Sequence, residues 1–259
     1  MSPLPPAFLT APLAHRALHD RAAGRPENSV EAVRAAIAGG YGIEIDIQPS
    51  ADGVPMVFHD YDLARLTGET GPVAGRSAAE LGAIPLSGGT EGIPTLDRVL
   101  EEVAGRVPLL IEIKDQDGAM GAAVGPLERA VAAGLGGYDG PVALMSFNPH
   151  SVAVLAEAAP ERPRGLTTCA YAARDWPTLQ APMRDMLREI PDYDRVGASF
   201  ISHLWRDLAR PRVAELKALG AAILCWTVRS PDEERIARSV AANVTFEGYV
   251  PAHPVPPAA

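Results

Sequence analysis

The chain has 259 residues, 47% hydrophobic and 21% charged, which is the balance of a soluble globular protein with a sizeable core and excludes a disordered chain. A net charge of −9 argues against nucleic acid or an anionic membrane as a general partner, so an anionic substrate would need locally placed cations. The start has no basic segment leading into an apolar one, and no apolar run could span a bilayer, so no stable membrane insertion and a cytoplasmic location are expected.

No composition break divides the chain, and its length suits one α/β barrel, so a single domain over 1–259 is expected. Residues 1–11 carry three prolines and read as an irregular lead-in. Pro12–His15 reads as a short strand. Pro26-Glu27-Asn28-Ser29 then starts a helix whose Val30, Val33 and Ile37 recur at helical spacing up to Gly39-Gly40. In the strand predicted over 42–48, Ile43, Ile45 and Ile47 share one face, and Glu44 and Asp46 lie side by side on the other. Asp52-Gly53 predicts a two-residue turn into an antiparallel arm, Val54–His59. Residues 61–93 show no sustained period apart from a capping box at Ser77–Glu80, and read as a functional insertion. Thr95 caps a helix bearing Leu96, Val99, Leu100 and Val103, stopped by Gly105.

Pro108–Lys114 repeats the earlier pattern, with Glu112 and Lys114 on one face. A helix over 120–134, a strand over Val142–Phe147 and a helix opened by Asn148-Pro149 follow. Weaker strands at Gly165–Cys169 and Gly197–Ile201 flank a helix near 176–190. Val213, Leu216 and Leu219 mark a helix closed by Gly220. Ala222–Val228 is a strand, Ser230-Pro231 starts a helix, Asn243–Phe246 is the last strand, and 251–259 reads as a frayed tail. Cys169 and Cys225 lack metal-ligand spacing and are expected to be buried free thiols. His19, His150, His203 and His253 read as surface or loop.

About nine strands alternate with helices. Because a tight turn joins antiparallel strands, Val54–His59 drops out of the count and leaves eight parallel ones. The expected architecture is a (β/α)8 TIM barrel with a β-hairpin and a small insertion after it, whose active site lies at the strands' carboxyl ends. His15, Glu44, Asp46, His59, Glu112 and Lys114 all fall near such ends or on the hairpin. Paired carboxylates joined by a third from another strand make an oxygen-rich site for one Mg²⁺ or Ca²⁺, not a zinc site. Two histidines suit acid and base roles, and Arg16 and Lys114 suit anionic oxygens, a combination fitted to phosphoryl transfer.

In this order the motifs resemble the glycerophosphodiester phosphodiesterase family. They are His15-Arg16 with Pro26-Glu27-Asn28, Gly42-Ile-Glu44-Ile-Asp46, Asp52-Gly53 with His59-Asp60, and Leu63-Ala-Arg65-Leu-Thr67-Gly68. Ile93-Pro94-Thr95-Leu96, Ile111-Glu112-Ile-Lys114, Ser146-Phe147 and Trp226-Thr227-Val228 complete the set. The resemblance implies hydrolysis of small-molecule glycerophosphodiesters to glycerol 3-phosphate and an alcohol. It implies Glu44, Asp46 and Glu112 as metal ligands, His15 and His59 as the acid/base pair, and Arg16 and Lys114 as phosphate contacts. Phe147 and Trp226 are candidate substrate-binding residues. Asn28 is expected to cap the helix and Glu27 to face the metal, while 61–93 would roof the glycerol pocket. Two alternatives stand beside this one. One is a lysophospholipase D, in which Leu63, Leu66, Ile84 and Leu86 line an apolar entry instead of forming a small core, and the other is a non-catalytic phosphate-binding barrel. Ala17 stands where the family usually has glycine, and Val244–Tyr249 departs from its usual last strand.

Overall fold

The computed structural model describes residues 2–253, so residues 254–259 of the expected tail lie outside the described residues. In chain order these form α1 (Ala7–Thr10), β1 (Leu13–Ala14), α2 (Val30–Ala38), β2 (Gly42–Pro49), β3 (Pro55–Val57), α3 (Ala78–Gly82), α4 (Leu96–Val103) and β4 (Leu109–Ile113). There follow α5 (Pro126–Gly134), β5 (Val142–Ser146), α6 (Pro149–Ala158), β6 (Arg164–Thr168), α7 (Ala181–Arg188), β7 (Phe200–Leu204), α8 (Pro211–Ala218), β8 (Ala222–Val228), α9 (Pro231–Ala237) and β9 (Asn243–Phe246). Eight parallel strands alternating with helices, with β3 as an antiparallel arm, make this the expected (β/α)8 TIM-barrel class. The lead-in is less irregular than expected: α1 forms there and buries Phe8.

Two compact units are distinguished, one of Leu13–Lys114 and Gly125–Val142, the other of the described residues of Met1–Pro12, Asp115–Val124 and Ala143–Ala259. In the first, β2 is the organising strand. It pairs in parallel with β4 from Ile43↔Leu109 to Ile47↔Ile113, which occupies one edge. The other edge is shared: β1 covers Gly42 and Ile43, and β3 covers Ile47 to Pro49 in antiparallel register. The turn between β2 and β3 has three residues, not two. Ser50 N–H donates to Val54 O at 3.0 Å around Ala51-Asp52-Gly53, and Gly53 takes φ +80°, which suits a residue without a Cβ. Segment 61–93 folds around its own core, in which Met56, Phe58, Leu63, Leu66, Val73, Leu81, Ile84, Leu86 and Ile93 are buried together. The capping box on α3 forms as predicted.

In the second unit β5 to β9 pair in parallel sequence order. Several predicted boundaries move. β7 starts at Phe200, not 197, because Gly197 turns the chain with φ +59° and the first amide given to β6 is Ser199 N–H on Arg164 O. The helix predicted over 176–190 is α7, beginning after a Trp176–Gln180 turn. Leu219 lies beyond α8 and is exposed, leaving Val213 and Leu216 as that helix's buried face. In the first unit, α5 starts at Pro126, not 120, because three glycines (118, 121 and 125) interrupt the preceding stretch. The later end of β7, at Leu204 and not 201, places His203 inside the strand. It is fully buried, with Nδ1 2.7 Å from Thr168 Oγ1 and Nε2 3.2 Å from Asp207, which corrects its reading as a surface histidine. Cys169 and Cys225 are buried free thiols.

Candidate active site

The site is built on the polar face of β2. Alternation aims Glu44 and Asp46 to one side, and the register pairs Asp46 with Glu112 on β4, so the three carboxylates share one face. All three are buried, and one oxygen from each lies within 4.8 Å of the others. Three anions packed this closely need positive charge. Lys114 supplies some, its Nζ 2.7 Å from Asp46 Oδ1 and 2.5 Å from Glu112 Oε1. Arg16 supplies more through its guanidinium, whose Nε lies 3.5 Å from Asp46 Oδ2, and its backbone N–H donates to Glu44 Oε2 at 2.9 Å.

The charges answer unequally. Burial, then Asp46 and Glu112, push the Glu44 carboxyl well above the usual carboxylate range. Burial also opposes ionisation of Asp46, but Lys114, His59, Arg16 and His15 outweigh it and hold that carboxyl far below its ordinary value. Lys114 is desolvated too, yet Asp46 and Glu112 raise its affinity for the proton. One carboxylate therefore lacks a full counter-charge. An all-oxygen set of this kind fits a hard divalent cation, Mg²⁺ or Ca²⁺, and lacks the nitrogen and sulfur ligands of a zinc centre. A second observation points to an anion nearby: Arg16 Nε is buried without a hydrogen-bond partner, its contact to Asp46 being an ion pair only.

His15 follows β1 directly, and His59 follows β3, where Phe58 N–H donates to Asp46 O at 3.0 Å. Both imidazoles are partly exposed. His59 Nδ1 lies 2.6 Å from Asp60 Oδ1, which fixes the ring and leaves Nε2 as the nitrogen for chemistry. Asp60 is held well below the ordinary carboxylate range: burial opposes this, but hydrogen bonds from His59 and Arg65 dominate.

Two expectations in the Pro26–Ser29 segment are corrected. Ser29 caps α2, accepting from Ala32 N–H. Asn28 instead has φ +57° and grips Asp46, its Nδ2 donating to Oδ2 at 2.9 Å and its Oδ1 accepting from Asp46 N–H at 3.3 Å. Glu27 stands outside the carboxylate cluster and accepts from Arg16 Nη1 at 2.7 Å and from both terminal nitrogens of Arg65 at 2.8 Å. The sequence alone assigns Asp60 and Arg65 no role; the signal for them is their closeness along the chain to His59. Phe147 and Trp226 lie in the second unit, edge to face at 5.5 Å in an aromatic cluster with Tyr171 and Trp176.

The profile of the Glycerophosphoryl diester phosphodiesterase family matches residues 15–245. The chain belongs to this family. Among curated proteins it is similar to an uncharacterized protein of Mycobacterium tuberculosis, 32% identical over 104 residues, 34% of this chain and 35% of that one. It is also similar to glycerophosphodiester phosphodiesterase 1 of Bos taurus, 40% identical over 73 residues, 27% of this chain and 21% of that one. The matches thus span about a third or less of those relatives. Solved structures share the fold along nearly the whole chain. A phosphodiesterase of Oleispira antarctica, solved with the product sn-glycerol-3-phosphate, has a TM-score of 0.74 at 23% identity, covering 93% of this chain and 94% of that one. A glycerophosphodiester phosphodiesterase of Agrobacterium tumefaciens has a TM-score of 0.67 at 26% identity, covering 92% and 96%. Among the described residues no helix is long and apolar enough to cross a membrane.

Proposed function

We propose that the chain hydrolyses glycerophosphodiesters to glycerol 3-phosphate and an alcohol, using one divalent cation and the His15/His59 pair. The observation that carries this reading is the trio of buried carboxylates within 4.8 Å of one another, in a member of this family. Glu44, Asp46 and Glu112 would hold the cation, which when bound supplies charge neutralisation at the phosphate oxygens. The chain's own residues do the rest. Arg16, whose buried Nε has no hydrogen-bond partner, and Lys114 bind the anionic oxygens. One imidazole takes the proton from the attacking oxygen, of water or of the substrate's own glycerol hydroxyl, as that oxygen bonds to phosphorus. The other returns a proton to the alcohol oxygen as the P–O bond breaks. Where the glycerol hydroxyl attacks, water then opens the cyclic ester with the same pair. We further propose Phe147 and Trp226 as substrate contacts, so Trp226→Ala raises KM more than it lowers kcat.

Leu63, Leu66, Ile84 and Leu86 bear on the lysophospholipase D alternative. All four are buried in the core of the insertion, so none is left to line an apolar entry. Turnover of water-soluble diesters should therefore exceed that of micellar lysolipid.

The test is glycerol 3-phosphate release from glycerophosphocholine and glycerophosphoethanolamine with Mg²⁺, Ca²⁺ or EDTA. Release that requires a divalent ion, is lost in Glu44→Gln and falls by about 10²-fold or more in His15→Ala and His59→Ala is the expected result. Phosphate binding without hydrolysis of any diester would instead favour the non-catalytic barrel.

A further inference from the structure

Arg65 binds two carboxylates at once. Nη1 and Nη2 donate to the two oxygens of Glu27 at 2.8 Å, while Nε and Nη2 donate to Asp60 Oδ2 and Oδ1 at 2.5 and 2.9 Å. Each carboxylate also reaches a residue of the proposed site. Glu27 Oε1 accepts from Arg16 Nη1, and Asp60 Oδ1 meets His59 Nδ1. A continuous chain therefore runs His59, Asp60, Arg65, Glu27, Arg16, and its central link comes from the insertion.

The insertion is shaped to present that link. Leu63 and Leu66, on either side of Arg65, are buried in the insertion's core. The turn between them is closed by Leu66 N–H and Thr67 N–H on Leu63 O, and Thr67 Oγ1 donates to the same oxygen at 2.8 Å. The guanidinium is thus anchored through its backbone while its side chain stays half exposed. Only a planar fork satisfies two carboxylates bidentately; an ammonium is a point charge and cannot.

We propose that Arg65 is a positioning residue that locks the His59–Asp60 pair to Glu27 and so fixes the imidazole used in the reaction. This rests on the reading of His59 as half of the acid/base pair. The insertion then does more than cover substrate, because it sets the geometry of a catalytic side chain through one arginine.

Arg65→Gln and Arg65→Lys test it, with steady-state kinetics on a glycerophosphodiester and an NMR titration of the His59 ring. The charged groups acting on His59 include Asp60, Asp46 and, across Asp60, Arg65. In Arg65→Gln, kcat should fall about 10- to 100-fold, the cost of a slightly misplaced catalytic group, with KM little changed. The His59 midpoint should rise, because a cation beside its carboxylate is gone. Arg65→Lys should restore the midpoint toward wild type, since the charge is back, but not kcat, since the fork is missing. A folded Arg65→Gln with wild-type kcat and an unmoved His59 midpoint overturns the proposal. So does a change confined to KM, which would make Arg65 a substrate contact. If the wild type hydrolyses no diester, the functional reading fails, and the His59 titration still decides whether Arg65 controls that ring.

Discussion

At Arg16 and Ala17 the backbone takes φ +53° and +64°, two consecutive left-handed residues, neither of them glycine. The bend lets Arg16 N–H reach the Glu44 carboxylate and Ala17 N–H reach Glu44 O at 2.9 Å. A Cβ in that conformation costs roughly 1–2 kcal/mol, partly offset because glycine has more freedom to lose on folding. Ala17→Gly should therefore stabilise by about 0.5–1 kcal/mol, read as a rise of a few degrees in thermal midpoint. The turn after His15 thus favours a residue without a Cβ at position 17, and this chain accommodates alanine there at a cost in strain. Asn28 makes a complementary case. Removing its amide in Asn28→Ala leaves the buried Asp46 carboxylate short of a donor and should cost about 1–3 kcal/mol in denaturant unfolding. The carboxylate cluster was legible in the sequence because alternation along β2 and the repeated Ile-Glu-Ile pattern on β4 give side-chain direction without coordinates. The partners of Glu27, Asn28 and Asp60 were not, since they depend on loop conformations that no periodicity encodes.

At the scale of elements, strong periodic segments were placed well. Ala222–Val228 and Asn243–Phe246 form as predicted, as does the Thr95-capped helix. Boundaries failed where glycines and prolines intervened, at α5, α7 and β7. A strand ended at 201 leaves His203 outside the core, where β7 in fact continues to Leu204. In the sequence the insertion reads as mostly loop because its apolar residues follow neither a helical nor a strand period; they meet only through turns. One such meeting is tight: a Cβ on Gly92 would lie 2.0 Å from Gly82 O, a backbone atom that cannot rotate away. Gly92→Ala should destabilise by about 1–3 kcal/mol, with faster proteolysis confined to 61–93. If Arg65 acts as proposed, the same change lowers kcat.

For the whole molecule, stability should depend on both cation and pH. A divalent ion that binds only the folded chain adds about 2.7 kcal/mol at a hundred times its dissociation constant. The thermal midpoint should therefore rise with Mg²⁺ or Ca²⁺, fall back with EDTA, and be indifferent to both in Glu44→Gln. Acid should act through carboxylates whose folded-state affinity for protons is lowered. Burial raises that of Asp207, but hydrogen bonds from His203 and Arg210 outweigh it and hold the carboxyl at about 2. Its contribution is complete above the unfolded value of 3.8 and lost as pH falls toward 2. Because the side chain is partly solvated, that contribution is about 1–2 kcal/mol, so Asp207→Asn should unfold more easily at pH 7 and nearly match wild type at pH 2. β2 has a further consequence. With β4 along one edge and β1 and β3 dividing the other, the strand bearing Glu44 and Asp46 is clamped by backbone hydrogen bonds on both sides. In deuterated buffer its amide protons should be among the last to be replaced, exchanging only when the chain unfolds globally. Local openings elsewhere would then come and go while two of the three proposed ligands stay in register, so a cation lost from the site could return without any refolding of the strand that receives it.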